Sequence, residues 1–273
     1  MAHEPDYSAD FSGVLELLRR LRDPERGCPW DIDQTPRTLV PHLIEEAHEA
    51  AEAIESGERG AIIDELGDLL LHLAFQIVIA EEEGSFDLGD VAGKIIDKMV
   101  RRHPHVFGSA EYAGSAHQAV WETLKRSERD PADERRDSVI GTLPEGLPAL
   151  VRAYRIQQKV ATVGFDWRTA DGARDKVDEE LAETTAAAET GLPEPLEEEF
   201  GDLLFALINW GRLLGVHPHT ALQHANRKFE ARFQRLETLA AERGVRLEDQ
   251  SLDELDQLWD EVKREESSRE TTD

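Results

Sequence analysis

An acidic pattern occurs twice in the 273-residue chain, and the second copy begins 134 positions after the first. Each copy has the form Glu-Glu-x-x-Glu, then a spacer, then Glu-x-x-Asp, and every position recurs without a gap. The members are Glu45, Glu46, Glu49, Glu65 and Asp68 in the first copy, and Glu179, Glu180, Glu183, Glu199 and Asp202 in the second. Self-similarity at a fixed offset indicates an internal duplication. We therefore expect two domains of the same architecture.

The apolar residues indicate helices almost throughout the chain. They recur with a period near 3.6, for example over residues 66–73 and 203–208, and alternating strand-like stretches are scarce. The charged segment 130–145 is typical of an interdomain linker. We expect an all-α fold of tandem helical-bundle domains, with an N-terminal domain over 1–129 and a C-terminal domain over 146–273.

Composition excludes several classes of partner. The chain has 58 acidic residues against 31 Lys and Arg, a net charge of −27, which argues against nucleic-acid polymers and anionic membranes. A negative surface can still bind nucleotides if metal ions bridge the two. The single Cys28 excludes a disulfide framework and favours a reducing cytoplasm. The polar residues 1–10 predict no signal peptide, and no apolar run approaches the ~20 residues of a membrane span.

The acidic spacing predicts a carboxylate hairpin in each half. Glu46 and Glu49 are three positions apart and share a helix face, as do Glu65 and Asp68 on the following helix. The midpoint between Glu49 and Glu65, and between Glu46 and Asp68, is Gly57, a helix breaker. The corresponding midpoints of the second half fall on Gly191. Antiparallel helices that fold back at the glycine would bring four carboxylates to one height.

Converging carboxylates favour a bound cation. Two unit charges ~4 Å apart repel by roughly 4 kcal/mol at an effective dielectric of about 20. Oxygen ligands without sulfur suit Mg²⁺, with Mn²⁺ as a possible substitute. Mg²⁺ commonly keeps positions for water and substrate phosphate, which points to phosphate chemistry. The alternative is a pair of solvated acidic faces, but the recurrence in both halves favours metal sites.

Each half also carries basic and aromatic residues spaced four apart. They are Lys98, Arg102, Trp121 and Lys125 in the first half, and Lys228, Arg232, Trp259 and Lys263 in the second. A Lys/Arg pair on one face suits phosphate oxygens, and a Trp can stack on a base. Surface and core roles remain open for them. The His-Pro-His segments at 103–105 and 217–219 do not occupy equivalent repeat positions, so we expect helix-terminal roles rather than metal binding.

Together these motifs resemble the all-α nucleoside triphosphate pyrophosphohydrolases, over nearly the whole chain. The resemblance rests on the two carboxylate signatures and on four segments, at 27–31, 101–107, 163–167 and 199–204. It implies a helical fold that dimerises through helix packing. It also implies Mg²⁺-dependent hydrolysis of NTPs or dNTPs to NMP and pyrophosphate, as nucleotide-pool house-cleaning.

The resemblance assigns roles residue by residue. It implies Mg²⁺ ligands at Glu180, Glu183, Glu199 and Asp202. It implies nucleotide binding by Lys176, Glu179, Glu180, Lys228, Arg232 and Trp259, and catalytic roles for Glu179, Lys176, Lys228, Arg232 and Lys263. The second candidate site, in the first half, comprises Glu45, Glu46, Glu49, Glu65, Asp68, Lys98, Arg102, Trp121 and Lys125. This first-half site has His42 where the second half has Lys176. In the second half, Pro195 stands where the family has a basic residue.

These residues suggest a mechanism and two alternatives to it. Water would attack a phosphorus of the triphosphate chain, with the α-phosphorus favoured, while Glu179 orients or deprotonates the water. Lys176, Lys228 and Arg232 would stabilise charge on the departing pyrophosphate. The first alternative is a di-metal redox bundle. The second is a non-enzymatic acidic helical scaffold for dimerisation in one or both halves.

Overall fold

The computed structural model describes residues 7–109, 114, 117–128, 138–141 and 143–270. Every element in these ranges is helical, which confirms the all-α prediction. The chain divides into two compact units, Met1–Tyr112 and Ala113–Asp273. Most of the predicted linker, residues 130–137, lies outside the described residues, and the predicted domain boundaries stay predictions.

Helices α1 to α6 lie in the first unit. They are α1 (Phe11–Leu21), α2 (Pro29–Ile32), α3 (Val40–Ser56), α4 (Arg59–Glu82), α5 (Leu88–Arg102) and α6 (Pro104–Phe107). The C-terminal half of α4 is apolar on most sides, and Phe75 and Val78 there are almost fully buried. They pack with Leu15 and Leu18 from the apolar stripe of α1, so α4 is the central helix of this unit.

Helices α7 to α12 lie in the second unit. They are α7 (His117–Ser127), α8 (Ala149–Ala161), α9 (Ala170–Thr190), α10 (Pro193–Leu213), α11 (Pro218–Glu242) and α12 (Leu252–Glu270), with a 3-10 turn at Leu247–Asp249. None of the helices described in either unit is long and apolar enough to cross a membrane.

The second unit has two separate apolar clusters. Val177 on α9 packs against Leu203 and Ala206 on α10, which holds the second hairpin together. Leu236 on α11 packs against Val262 on α12, with further apolar residues around them. The carboxylate hairpin therefore has a core of its own, distinct from that of the α11–α12 pair.

Two glycines make the predicted hairpin turns. Gly57 ends α3 with φ 75° and Gly191 ends α9 with φ 67°, both in the left-handed region. Glycine adopts this conformation without the steric cost that a Cβ would bring, so it ends these helices and reverses the chain. The predicted fold-back at residue 57, and its repeat at residue 191, are confirmed.

The His-Pro-His segments also lie where the sequence predicts. His103 separates α5 from α6, and its Nδ1 lies 2.6 Å from the carbonyl oxygen of Met99. His217 immediately precedes Pro218, the first residue of α11. Proline is favoured at the first helical position because its missing N–H would be unpaired there anyway. Both segments therefore have helix-terminal roles.

Candidate functional site

The carboxylates of the second hairpin converge between its two helices. Glu180 comes from α9, and Glu199 and Asp202 come from α10, with one ligand oxygen of each lying within 4.8 Å of the others. Glu180 is only 5% exposed, whereas Asp202 is exposed, so the cluster is anchored inside and open to solvent on one side. Glu183, the fourth predicted ligand, is exposed and lies outside that mutual limit, although its charge acts on Glu199.

The first hairpin forms a related cluster from Glu46, Glu49 and Glu65, again within 4.8 Å of one another. Asp68 lies outside this group, but its charge raises the pKa values of Glu46 and Glu65. Both hairpins thus bring together equivalent pairs, Glu46 with Glu65 in the first unit and Glu180 with Glu199 in the second. They differ in which of the remaining two carboxylates joins that pair.

Desolvation and neighbouring negative charges act on carboxylates in both clusters. Loss of hydration and then the charges of Glu183 and Glu180 raise the pKa of Glu199 above its ordinary value of 4.5. Burial and neighbouring carboxylates raise the pKa values of Glu46 and Glu65 in the same way. These donors are hard oxygens without sulfur, which fits Mg²⁺ or Mn²⁺. The geometry and the electrostatics of both hairpins therefore fit a divalent cation.

Lys176 connects the cluster to the predicted general base. Its Nζ lies 2.6 Å from Oε1 of Glu180 and 2.9 Å from Oε1 of Glu179. Hydrogen bonds to these two carboxylates raise the pKa of Lys176 above its ordinary value, so the ammonium stays charged. In the first unit the equivalent residue is His42, whose Nδ1 lies 3.7 Å from Oε2 of Glu45. Three residues that the sequence predicted for one site are thus in direct contact.

The hydroxyl of Thr184 hydrogen-bonds to both helices of the second hairpin beside the carboxylate cluster. The sequence did not predict this role. This hydroxyl lies 2.7 Å from the carbonyl oxygen of Glu180 and 3.1 Å from that of Glu199. The equivalent residue of the first unit, 134 positions earlier, is Ala50, so the first hairpin lacks this tie. The available signal was a hydroxyl four residues after Glu180, on the face that carries the ligands.

His72 adjoins the cluster of the first unit and was also missed. Its Nε2 lies 3.7 Å from Oε1 of Glu46, and its ring stacks on His42 with 6.0 Å between centroids. Burial lowers the pKa of His72, and its Nδ1 is buried without a hydrogen-bond partner among the described residues. Ala206 occupies the equivalent place in the second unit. An imidazole therefore borders the first cluster, whereas a lysine borders the second.

The basic and aromatic residues of the second half lie on two helices that pack together, α11 and α12. Arg232 donates from Nε to Oε2 of Glu266 over 2.7 Å, and Nζ of Lys263 lies 3.0 Å from Oδ1 of Asp260. Trp259 packs at 5.1 Å from Phe229 beside the α11–α12 core, while Lys228 is exposed. Their placement against a bound nucleotide stays a prediction.

The corresponding residues of the first half are divided between the two units. Lys98 and Arg102 lie on α5 of the first unit. Trp121 and Lys125 lie on α7, which belongs to the second unit. Nζ of Lys125 is 3.2 Å from Oε1 of the buried Glu122, which also meets Nη2 of Arg155 on α8 at 3.4 Å. Their membership of the first candidate site stays a prediction.

Comparison with known proteins gives consistent matches. A family model described as the MazG nucleotide pyrophosphohydrolase domain matches residues 34–107, which include the first hairpin. The chain is 43% identical over 256 residues to the nucleoside triphosphate pyrophosphohydrolase of Escherichia coli (strain K12), covering 93% of this chain and 97% of that protein. It is 41% identical to the nucleoside triphosphate pyrophosphohydrolase/pyrophosphatase MazG of Thermotoga maritima, covering 93% and 95%. It also matches Bacillus subtilis YabN, an uncharacterized protein, at 41% identity, covering 93% of this chain and 52% of YabN.

Proposed function

The chain belongs to the MazG nucleotide pyrophosphohydrolase family, and from that premise we propose that it hydrolyses nucleoside triphosphates to monophosphates and pyrophosphate. The observation that carries the proposal is the convergence of Glu180, Glu199 and Asp202 with Lys176 at their edge. Such a site offers oxygen ligands for a cation and a fixed positive charge for phosphate oxygens. The names of relatives that match over almost the full chain support the same activity.

The proposed cofactor is Mg²⁺, with Mn²⁺ as a substitute. The ligands in the second unit are Glu180, Glu183, Glu199 and Asp202, of which three already lie within 4.8 Å of one another. When bound, Mg²⁺ neutralises phosphate oxygens and makes water a better nucleophile. Glu46, Glu49, Glu65 and Asp68 form the equivalent candidate set of the first unit. The raised pKa values in both sets support the need for a countercharge.

In the proposed reaction Glu179 accepts the proton of the attacking water. The oxygen of that water forms a bond to the α-phosphorus, the bridging P–O bond breaks, and pyrophosphate leaves with the released electron pair. Lys176 holds Glu179 in place from 2.9 Å. Lys228, Arg232 and Lys263 then stabilise the charge on the departing pyrophosphate, and Trp259 contacts the nucleotide.

The proposed assembly is a homodimer. Helix α10 buries Leu203 and Ala206 on one face, but leaves Phe200, Leu204 and Leu207 exposed on another, at 51%, 42% and 40%. These three positions follow the i, i+4, i+7 spacing of an apolar stripe, which predicts a partner helix. The first unit repeats the stripe, since the equivalents of Phe200 and Leu207 are Leu66 and Leu73, both exposed apolar residues. A second copy of the chain is the proposed partner.

The proposed cellular role is house-cleaning of the nucleotide pool in the cytoplasm. This role rests on the family resemblance. The cytoplasmic location rests on the single Cys28, which suits a reducing compartment.

Product analysis tests the proposal. Purified chain is incubated with each of several NTPs and dNTPs and Mg²⁺, and the products are separated by ion-exchange chromatography. We expect equal amounts of NMP and pyrophosphate, lost on chelation and restored by Mg²⁺. Release of NDP and phosphate would contradict the assignment, and no turnover of any nucleotide would favour the acidic scaffold instead.

A further inference from the structure

A small pocket opens at the segment between α8 and α9. Gly164, Phe165, Asp166 and Trp167 line it, and its volume is about 230 Å³. Pockets for drug-sized ligands start at roughly 300 Å³, so this one suits a single heterocycle rather than a whole nucleotide. Phe165 is 80% exposed and Trp167 is 43% exposed, so two aromatic side chains stand at the surface beside the pocket. The reaction proposed above uses none of these residues.

The polar wall of the pocket is held in a fixed position. Oδ1 of Asp166 accepts hydrogen bonds from Nη2 of Arg212 at 2.6 Å and from the backbone N–H of Trp167 at 2.9 Å. Arg212 in turn donates to Oδ1 of Asn209, a residue that is only 5% exposed. Within the described residues, Oδ2 of Asp166 has no donor. The pocket thus presents a positioned hydrogen-bond acceptor next to aromatic side chains.

One face of α9 connects the pocket to the carboxylate cluster. Trp167 packs so closely on Gly172 that a Cβ there would lie 2.4 Å from its Cδ1. Gly172, Lys176 and Glu180 are spaced four apart and share that face. The rise along the helix from Gly172 to Glu180 is about 12 Å. A nucleotide has the same order of parts, with the base at one end, the sugar between, and the phosphates at the other.

We propose that this pocket binds the base of the nucleoside triphosphate whose phosphates lie at Lys176 and the carboxylate cluster. The inference rests on the proposed function and deepens it by assigning the site that recognises the base. The rings of Phe165 and Trp167 contact the π-faces of the heterocycle, which favours binding of every base. Oδ2 of Asp166 accepts a hydrogen bond from an N–H group on the base edge, and this contact discriminates among bases.

Steady-state kinetics of single variants test the base pocket. The parent carries Glu46→Gln, which disables the first cluster, and Phe165→Ala and Trp167→Ala are made in it. We expect KM for NTPs to rise at least about fivefold with kcat little changed, because stacking on one base is worth roughly 1–3 kcal/mol. The inhibition constant of inorganic tripolyphosphate, which has no base, should stay the same in excess Mg²⁺. Phe165→Tyr, which keeps the ring, should retain the parent KM.

Matched controls separate base binding from folding. Gly172→Ala forces Trp167 to move and should also raise KM, whereas Gly93→Ala, a helical glycine with open space around it, should not. Phe86→Ala removes a 43% exposed phenylalanine of the other unit and should leave KM unchanged.

Three results would overturn the base pocket while leaving the proposed activity standing. The first is an unchanged KM for NTPs. The second is a rise in the inhibition constant of tripolyphosphate as large as the rise in KM. The third is sedimentation of Phe165→Ala as a monomer, which would assign this ring to a subunit interface. Failure of the wild-type chain to release pyrophosphate from any NTP would overturn the proposed function and the base pocket together, whereas a silent parent beside an active wild type would overturn the base pocket alone.

Discussion

Lys176 and His42 stand at equivalent positions of the two repeats and give the two carboxylate clusters different neighbours. Lys176 bonds to Glu180 at 2.6 Å and is held in its charged form. The first unit instead has His42 stacked on His72, whose pKa is lowered by burial, so His72 favours the neutral form. A fixed ammonium suits phosphate oxygens better than a neutral imidazole does. This difference favours the second unit as the site of phosphate chemistry.

Repulsion at Glu199 predicts a stability effect with a definite sign. Its pKa is raised in the folded protein, so its contribution to stability is present below its ordinary value of 4.5 and is lost as pH rises through the folded value. In metal-free protein at pH 7 the carboxylate therefore destabilises the fold. We expect Glu199→Gln to raise the Tm of metal-free protein at pH 7, with a gain that shrinks towards pH 5.

Calorimetry with and without Mg²⁺ checks this effect. Mg²⁺ should raise the Tm of the wild type at pH 7, because a ligand that binds only the folded state stabilises it, and should raise that of Glu199→Gln less. Glu197→Gln is the matched control, since it removes an exposed charge of the same helix outside the cluster. A lower Tm for metal-free Glu199→Gln than for wild type at pH 7 would contradict the account.

At the scale of the element, α10 packs apolar residues against its own unit but leaves a stripe of three exposed in the described chain. Leu203 and Ala206 pack on α9, while Phe200, Leu204 and Leu207 remain exposed. If a second copy covers this stripe, a charge within it should dissociate the dimer. We expect Leu204→Glu to sediment as a monomer, and Leu252→Glu, at an 81% exposed position on α12, to sediment as the dimer. An unchanged sedimentation coefficient for Leu204→Glu would place the interface elsewhere.

The sequence predicts the hairpins well because their determinants are local. Carboxylates three apart share a helix face, and a glycine at the midpoint reverses the chain, so Glu180 and Asp202 meet as predicted. The sequence does not predict which third carboxylate joins them, because that depends on side-chain rotamers and burial. Thr184 and His72 were missed for the same reason, since each acts across the hairpin through a contact that periodicity does not encode.

At the scale of the whole molecule, the repeat predicts two helical units but not where each helix belongs. The linker predicted at 130–145 would place α7, with Trp121 and Lys125, in the N-terminal domain, and that boundary stays a prediction. In the structure α7 belongs to the second unit, where the buried Glu122 pairs with Arg155 of α8 at 3.4 Å. These residues are 33 positions apart in sequence, and no motif relates them. The repeat therefore identifies the hairpins, whereas the packing of α7 involves non-local contacts such as this ion pair.

The net charge of −27 restricts which anionic ligands the whole chain can bind. An acidic chain repels polyanions, so an anionic substrate needs a cation or a positioned lysine to bind. Among the described residues, the two carboxylate clusters bring acidic side chains together in a form that fits a divalent cation. Acidity and nucleotide binding are thus compatible in this protein.

Pyrophosphate release by matched hairpin variants tests the central claim most directly. The variants are Glu180→Gln, Glu46→Gln, the double variant, and Glu197→Gln as a control, with circular dichroism to verify helix content. Glu180→Gln should lower kcat by about a hundredfold or more at unchanged helicity, because a metal contributes several kcal/mol to such reactions. Glu46→Gln and Glu197→Gln should retain most activity. Wild-type pyrophosphate release by the double variant would contradict the claim that the carboxylate clusters carry the chemistry.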